Sequence, residues 1–389
     1  MTGARNRTRA RILYIQYTNP AAYPPLENSA TLLSERGWQV LFLGASVTGA
    51  EGLRFPGELA AATRLLPSWT RHAPGPVRYV AYMVWVLTWV VRWRPDWIYA
   101  SDLLACPPAL LLSLLTRSRI VYHEHDAPAA AEVTRRGRAM LALRRWLARR
   151  ADVRVLPNEA RMRHFRQHVV DVQPTFAVWN CPRRADVAAA RAGADGGRLR
   201  LLYQGSLVPA RLPLTVLEAL TLVPSSVELV VVGYETGGHR GYRRVLLQAA
   251  ARMGVADRVA LRNELPHADV MALGRTCDAG LALLPSVTED QNLRWMPGAS
   301  NKPFEYLANG LVVLVADLPG WREMFVRPGY GLACLAEDAA SIANAISWCL
   351  EHPRELRAMG ERGRRRIAAE WNYETQFAPV LECLGAGLG

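Results

Sequence analysis

The segment Pro297-Gly298-Ala299-Ser300-Asn301-Lys302-Pro303-Phe304-Glu305 sets small residues, one ammonium and one carboxylate ahead of an apolar run that ends at Gly310. A Gly/Ala/Ser loop lets backbone N–H groups approach an anion, and a helix that follows adds its positive end. Lys302 in the first turn can neutralise a diphosphate. Glu305, one turn later, can accept hydrogen bonds from a ribose diol, each charge-assisted bond being worth about 1.5–3 kcal/mol. Lys302 is the one lysine in a chain with 46 arginines, so a compact ammonium has been kept where the rest of the sequence writes guanidinium. A purely structural reading also exists: Asn301 as a helix N-cap, with Glu305 favourable in the first helical turns.

A second polar burst, Tyr122-His123-Glu124-His125-Asp126, follows the apolar run Arg119 to His123. After a buried strand such a burst faces a ligand. His125 is the candidate for the reacting site, because a neutral imidazole suits hydrogen bonding near neutral pH. Glu124 lies beside it. A metal site at His123 and His125 needs further ligands at suitable spacing, and the sequence shows none. A structural histidine pair is the alternative. Asn19 and Asn158 follow other strand-like runs and are cleft candidates by the same logic, or simple turn residues.

The elements that must position these residues alternate. Strands are expected at Ile12 to Gln16, Val40 to Leu43, Trp97 to Ala100, Arg119 to His123 and Val153 to Leu156. Helices are expected from a segment ending at Gly37, about Pro76 to Arg94, Pro107 to Leu115 and Ala139 to Arg150, with a polar loop from Thr18 to Pro25. Between Asp186 and Gly197 the stretch AARAGADGG lacks large apolar side chains and reads as a linker, taken as 186–198. Strands at Leu201 to Gln204, Glu228 to Val232, Val259 to Leu261, Ala279 to Leu284 and Val312 to Ala316 then form a second alternating set. The expected class is α/β: two doubly wound Rossmann-like lobes, 1–185 and 199–367, with a cleft between them and a C-terminal helix of about 368–389 packing back on the first. No G-x-G-x-x-G follows the first strand and no G-x-x-x-x-G-K-[ST] occurs, which removes the main support for dehydrogenase and P-loop readings.

Composition narrows the partners. The 389 residues carry a formal charge of +13. Residues 1–194 hold a net +14 and the remainder −1, so the first half is expected to face something anionic, unless the bias is arginine drift. Six scattered cysteines argue against disulfide or zinc frameworks. The apolar run after the N-terminal arginines is too short for a signal peptide, so the chain is expected in the cytosol. Tyr79 to Val91, 13 residues, is too short to span a bilayer, which takes about 20. Trp85, Trp89 and Trp93 would stack along one helix stripe, either against a core or at a membrane interface flanked by arginines. Arg135 to Arg150 would place Met140, Leu143 and Leu147 on one face of a second basic helix. A peripheral contact with the inner face of the cell membrane, reaching a lipid-linked or anionic acceptor, follows from the sharper reading. No nucleic-acid signature is found.

The stretch Asn301 to Glu323, NKPFEYLANGLVVLVADLPGWRE, resembles the nucleotide-sugar site of GT-B glycosyltransferases, especially the retaining family 4 built like glycogen and mannosyl transferases. Gln204-Gly205-Ser206-Leu207 through Arg211 resembles that family's loop after the first strand of the second lobe. Val231-Val232-Gly233 and Asp278-Ala279-Gly280-Leu281 resemble later strands, and Trp371 would lie in the C-terminal crossing helix. The resemblance implies a hexosyltransferase that moves a sugar from a nucleoside diphosphate donor to an acceptor hydroxyl, without a cofactor or an essential metal. It implies that Arg211 and Lys302 hold the diphosphate, Glu305 the ribose and His125 the donor sugar. Gly205 and Ser206, with the backbone of Gly298, Ala299, Ser300 and Asn301, would complete donor binding. Family members pair two glutamates eight positions apart; Glu305 matches the second, and Pro297 stands at the first. A cell-surface polysaccharide or glycolipid pathway is the implied setting. A sugar-nucleotide epimerase or hydrolase on the same scaffold, and a silent nucleotide-sugar binder, are the rival readings.

Overall fold

The computed structural model describes residues 9–46, 52–67, 70, 72–128, 134–190 and 197–386. The chain divides into two compact units, residues 1–179 with 376–389, and residues 180–375. The division falls at Trp179, ahead of the Gly/Ala-rich run, of which 191–196 lie outside the described residues.

The first unit carries seven strands among its described residues: β1 (Arg11–Gln16), β2 (Gln39–Gly44), β3 (Thr63–Leu65), β4 (Trp97–Ser101), β5 (Arg119–His123), β6 (Val153–Leu156) and β7 (Thr175–Ala177). They pair in parallel in the order β3-β2-β1-β4-β5-β6-β7. Between them run α1 (Pro24–Glu35), α2 (Gly57–Ala61), α3 (Gly75–Trp93), α4 (Cys106–Leu115), α5 (Arg135–Arg150) and α6 (Glu159–His168). β4 is buried along its whole length, as a parallel strand covered on both faces must be. The short β3 and β7, with α2 and α6, carry too little apolar periodicity to stand out in the sequence. The expected loop at Thr18 to Pro25 is instead a 3₁₀ turn, Pro20–Ala22, running into α1, because prolines suit the first turn of a helix.

The second unit carries β8 (Leu199–Leu207), β9 (Val227–Glu235), β10 (Val259–Arg262), β11 (Ala279–Ala282), β12 (Val312–Ala316) and β13 (Gly331–Cys334), parallel in the order β10-β9-β8-β11-β12-β13. Its helices are α7 (Thr215–Thr221), α8 (Tyr242–Arg252), α9 (His267–Gly274), α10 (Gln291–Arg294), α11 (Asn301–Ala308), α12 (Pro319–Trp321), α13 (Ala339–Glu351), α14 (Pro353–Ala369) and the start of α15 (Tyr373–Ala386), whose residues from Gln376 belong to the first unit. Trp371, expected in the crossing helix, lies between α14 and α15. Its ring packs at 5.7 Å from Phe304 of α11 and 5.5 Å from Tyr330, and so braces the helix that carries Lys302.

Strand order reverses between β1 and β4 in one sheet and between β8 and β11 in the other. At such a point neighbouring strands send their connections to opposite faces and leave a crevice at their carboxyl ends. In the second unit two glycines, Gly205 and Gly233, pair across β8 and β9 near the carboxyl ends of those strands. Gly205 stands at φ +115°, and its turned carbonyl occupies the space a Gly233 side chain would need. Gly233→Ala is therefore expected to lower stability by about 3 kcal/mol, measured by urea unfolding. A change within about 0.5 kcal/mol would show that the strands adjust freely.

Candidate functional site

In the second unit the residues expected to do chemistry meet where β8, β11 and α11 converge. β8 extends through Gln204-Gly205-Ser206, the stretch expected as a loop. Lys302, in the first turn of α11, crosses directly over Gly205; a methyl group there would lie 2.8 Å from Lys302 Cε. Its Nζ donates to the Tyr203 hydroxyl at 3.0 Å and stands 4.2 Å from that ring's centroid. Arg211 donates from Nη1 to Ser206 Oγ at 3.3 Å. Arg211, Ser300 and Lys302 line one recess together with Leu283 and Leu284 from the end of β11. Burial, and then the charge of Arg211, push the Lys302 ammonium well below its ordinary pKa, with Glu305 opposing the shift. Two cations held together in a partly desolvated corner are relieved by an anion.

Glu305 is buried one turn along α11. Gln204 Nε2 donates to its Oε2, and His267 Nε2 lies 3.2 Å from its Oε1. The carboxylate is thus held between β8 and the start of α9. Ser300 is the N-cap residue of α11 without a side-chain cap bond, and Asn301 is the first helical residue. The loop before it is fastened by its own backbone: the N–H groups of Ala299 and Ser300 both point to the Met296 carbonyl, at 2.8 and 3.2 Å. Asn180 donates from its backbone to the Gly298 carbonyl at 2.9 Å and from its side chain to that of Ala299 at 2.6 Å. Two of the N–H groups expected to reach a sugar or diphosphate therefore close the turn that sets the helix end.

In the first unit, His125 follows β5 with its backbone clamped on both sides. Its N–H donates to Asp102 Oδ1 at 2.7 Å and its carbonyl accepts from Arg161 Nη1 at 2.5 Å. The ring lies 3.8 Å, centroid to centroid, from that of His123, which itself bonds the Tyr99 hydroxyl at 2.6 Å. Among the described residues neither His125 ring nitrogen has a hydrogen-bond partner, although both are buried. Desolvation, then the nearby charge of Arg161, lowers its pKa to about 3, so the imidazole is neutral at ordinary pH. The backbone is thus fixed on both sides of a buried ring whose two nitrogens are left without a partner among the described residues, an arrangement that a native structure seldom keeps without a reason.

Asp102, at the carboxyl end of β4 beside the strand reversal, is part-buried and adopts φ +64°. Burial, and then the charge of Asp126, raise its carboxyl to about 7, against the bonds from His125 and Gln16. A non-glycine residue in that backbone region carries strain, which persists where surrounding structure imposes it.

Two family models cover most of the chain: a glycosyl transferase 4-like domain matches residues 26–181, and a glycosyl transferase-like domain matches residues 216–382. The chain belongs to the GT-B glycosyltransferases. It is 23% identical over 305 residues to a glycogen synthase of Mycobacterium tuberculosis, covering 73% of this chain and 67% of that one. Among solved structures, the sucrose-phosphate synthase of Thermosynechococcus elongatus superposes with a TM-score of 0.72 at 17% identity, over 97% and 100% of the two chains. Anabaena HepE in complex with UDP-glucose does so at 0.72 and 18%, over 97% and 99%.

Within this glycosyltransferase the second unit brings Gly205, Ser206, Arg211, Ser300, Lys302 and Glu305 together. The other acceptor-side candidates are occupied structurally. Glu124 is buried against Arg144 in a two-point ion pair, Nε to Oε2 at 2.5 Å and Nη2 to Oε1 at 2.7 Å, and also accepts from the Tyr122 hydroxyl at 2.6 Å. Asn19 accepts from Ala21 N–H and donates to the Leu53 carbonyl, which fixes the turn into α1. Asn158 caps α6 by accepting from Arg161 N–H. The sequence reading missed Tyr203, Gln204, His267 and Asp102. Asp102 stands directly after a buried strand, the signal used for Asn19 and Asn158. The others reveal themselves only when β8, α9 and α11 meet.

Proposed function

We propose that this glycosyltransferase transfers a hexose from a nucleoside diphosphate-sugar to an acceptor hydroxyl with retention at the anomeric carbon. It needs no metal and serves cell-surface polysaccharide or glycolipid synthesis. The bond from the anomeric carbon to the diphosphate oxygen breaks with its electron pair leaving on that oxygen. The acceptor oxygen forms the new bond, and its proton passes to the departing diphosphate oxygen. Negative charge therefore grows on the diphosphate, where Arg211 and a Lys302 that is protonated with the diphosphate bound offer positive charge. Glu305 takes the ribose diol, and His125 contacts the donor sugar. The observation that carries this reading is the Lys302 ammonium held over Gly205 next to Arg211, one helical turn from buried Glu305. The similarity to HepE, solved with UDP-glucose, supports a uridine nucleotide as the first donor to try.

The deciding experiment is calorimetric titration with UDP, GDP and ADP, followed by product analysis with and without an acceptor in the presence of EDTA. Transfer that needs acceptor and survives EDTA supports the proposal; loss of activity restored by a divalent ion removes the metal-free part. A second reading, a silent nucleotide-sugar binder, is favoured by Pro297 where the family has a carboxylate. It predicts binding with no turnover over any acceptor.

The depressed Lys302 pKa gives this site a pH signature. A bound diphosphate raises that pKa again, so nucleotide binding takes up a proton wherever free Lys302 is neutral, and affinity falls as pH rises through that range. Titrations in buffers of different ionisation enthalpy measure the uptake. Uptake that persists in Lys302→Ala would assign it to another group.

A further inference from the structure

The large apolar side chains left exposed in the described first unit lie on one layer. Val77, Val80, Val84 and Val91 are each more than half exposed along α3, Leu114 and Leu115 end α4, Trp146 stands out from α5, and Leu104 sits in the turn entering α4. The crossovers from β3 to β4 to β5 to β6 all advance in one direction, which by their handedness puts α3, α4 and α5 on the same face of the sheet. Neighbouring helices of the three are in contact. The exposed stripe is valine: Trp85, Trp89 and Trp93, a row that could face either a core or an interface, are half-buried against the core.

Charge on this layer has one sign. Residues 75–93, 106–115 and 135–150 contain no Asp or Glu, and nine arginines. Arg144 is spent on Glu124, while Arg92, Arg135, Arg136, Arg138, Arg145 and Arg149 are exposed. At the C-terminal end of α3 a cavity of about 510 Å³ is walled by Val91 and Leu115 and rimmed by Arg94, Arg117 and Arg119. Its one carboxylate, Asp96, accepts the Arg11 N–H.

We infer that the α3–α5 layer docks on an anionic bilayer, with its arginines at the lipid phosphates and the α3 valines and Trp146 at the acyl boundary. A second copy of the chain fits poorly, because like layers would set arginine against arginine with no carboxylate to answer it. Nucleic acid answers the arginines but leaves the valine stripe in water. The inference holds whatever the donor is, and a docked enzyme would meet a lipid-linked acceptor at its own surface.

The test is co-sedimentation with phosphatidylcholine vesicles, pure or mixed with phosphatidylglycerol, at low and high salt. Binding is expected to the anionic vesicles and to weaken with salt. Val80→Glu/Val84→Glu and Arg138→Glu/Arg149→Glu are each expected to lower it at least about tenfold. UDP titration of the same samples reports on the fold and on the donor site separately from the bilayer. Absent vesicle binding by the parent protein, equal binding to neutral vesicles, or binding unchanged in both variants overturns the inference. A dimer in light scattering that Val80→Glu/Val84→Glu dissociates, without vesicle binding, reassigns the layer to self-association.

Discussion

Lys302→Ala is expected to lower kcat/KM for the sugar-nucleotide donor by about 10²–10³, equivalent to about 3–4 kcal/mol of lost stabilisation where charge grows on the leaving diphosphate. Arginine should not rescue it. The lysine stem lies against Gly205, 2.8 Å from the position of a methyl there, and its ammonium sits over the Tyr203 ring; a longer, planar guanidinium has no room for either contact. Folding stability should stay level or rise, since a desolvated cation next to Arg211 is removed. Steady-state kinetics with thermal melts of Ala and Arg variants check both parts. Full activity in Lys302→Arg would mean that charge alone is required, and a large fall in melting temperature would make the residue structural.

Asp102→Asn is expected to separate stability from activity. The folded state holds the Asp102 carboxyl near 7, above its ordinary value of 3.8. Between those values the folded protein keeps a proton that the unfolded chain has released, so stability falls as pH rises through the window and the full cost applies above 7. Asparagine removes that cost, a gain of up to about 4 kcal/mol at pH 8 and almost none below pH 4. It keeps an acceptor for the His125 N–H and offers a donor to the Gln16 amide, whose Oε1 has no partner among the described residues. Because that acceptor is kept, the His125 backbone stays fixed, and activity should change little even as the melting temperature rises. Melts of both proteins at pH 5 and 8 are decisive: a gap that does not widen with pH would show that Asp102 ionises freely.

The alternation of apolar runs was enough to place both sheets, because a parallel strand buried on both faces must be apolar throughout, as β4 and β12 are. Where burial is partial the pattern fades: β3, β7 and α6 carry too few apolar residues to be distinguished from loops. Trp85, Trp89 and Trp93 show the limit of periodicity. Four-residue spacing puts them on one stripe, yet only packing tells which stripe turns inward, and the valines were left outside. Glu124 shows the limit of positional logic. A carboxylate after a buried strand reads as a ligand contact, but Arg144, twenty residues on, is folded in beside it and consumes both oxygens.

By itself the sequence determined the α/β class, ten of the thirteen strands of the described residues in their chain order, and the identity of Lys302, Glu305, Arg211 and His125 as the residues to watch, because residue type and local spacing carry that information. Tertiary structure alone decided which partners surround them. The Gly205 carbonyl turns into space that only Gly233 leaves open, Gln204 and His267 close on Glu305 from two other elements, and Asp102 and Arg161 clamp His125 from opposite sides while its ring stays unbonded. Those contacts join residues up to about a hundred positions apart, and burial, which sets the charge states of Lys302, His125 and Asp102, exists only once they have formed.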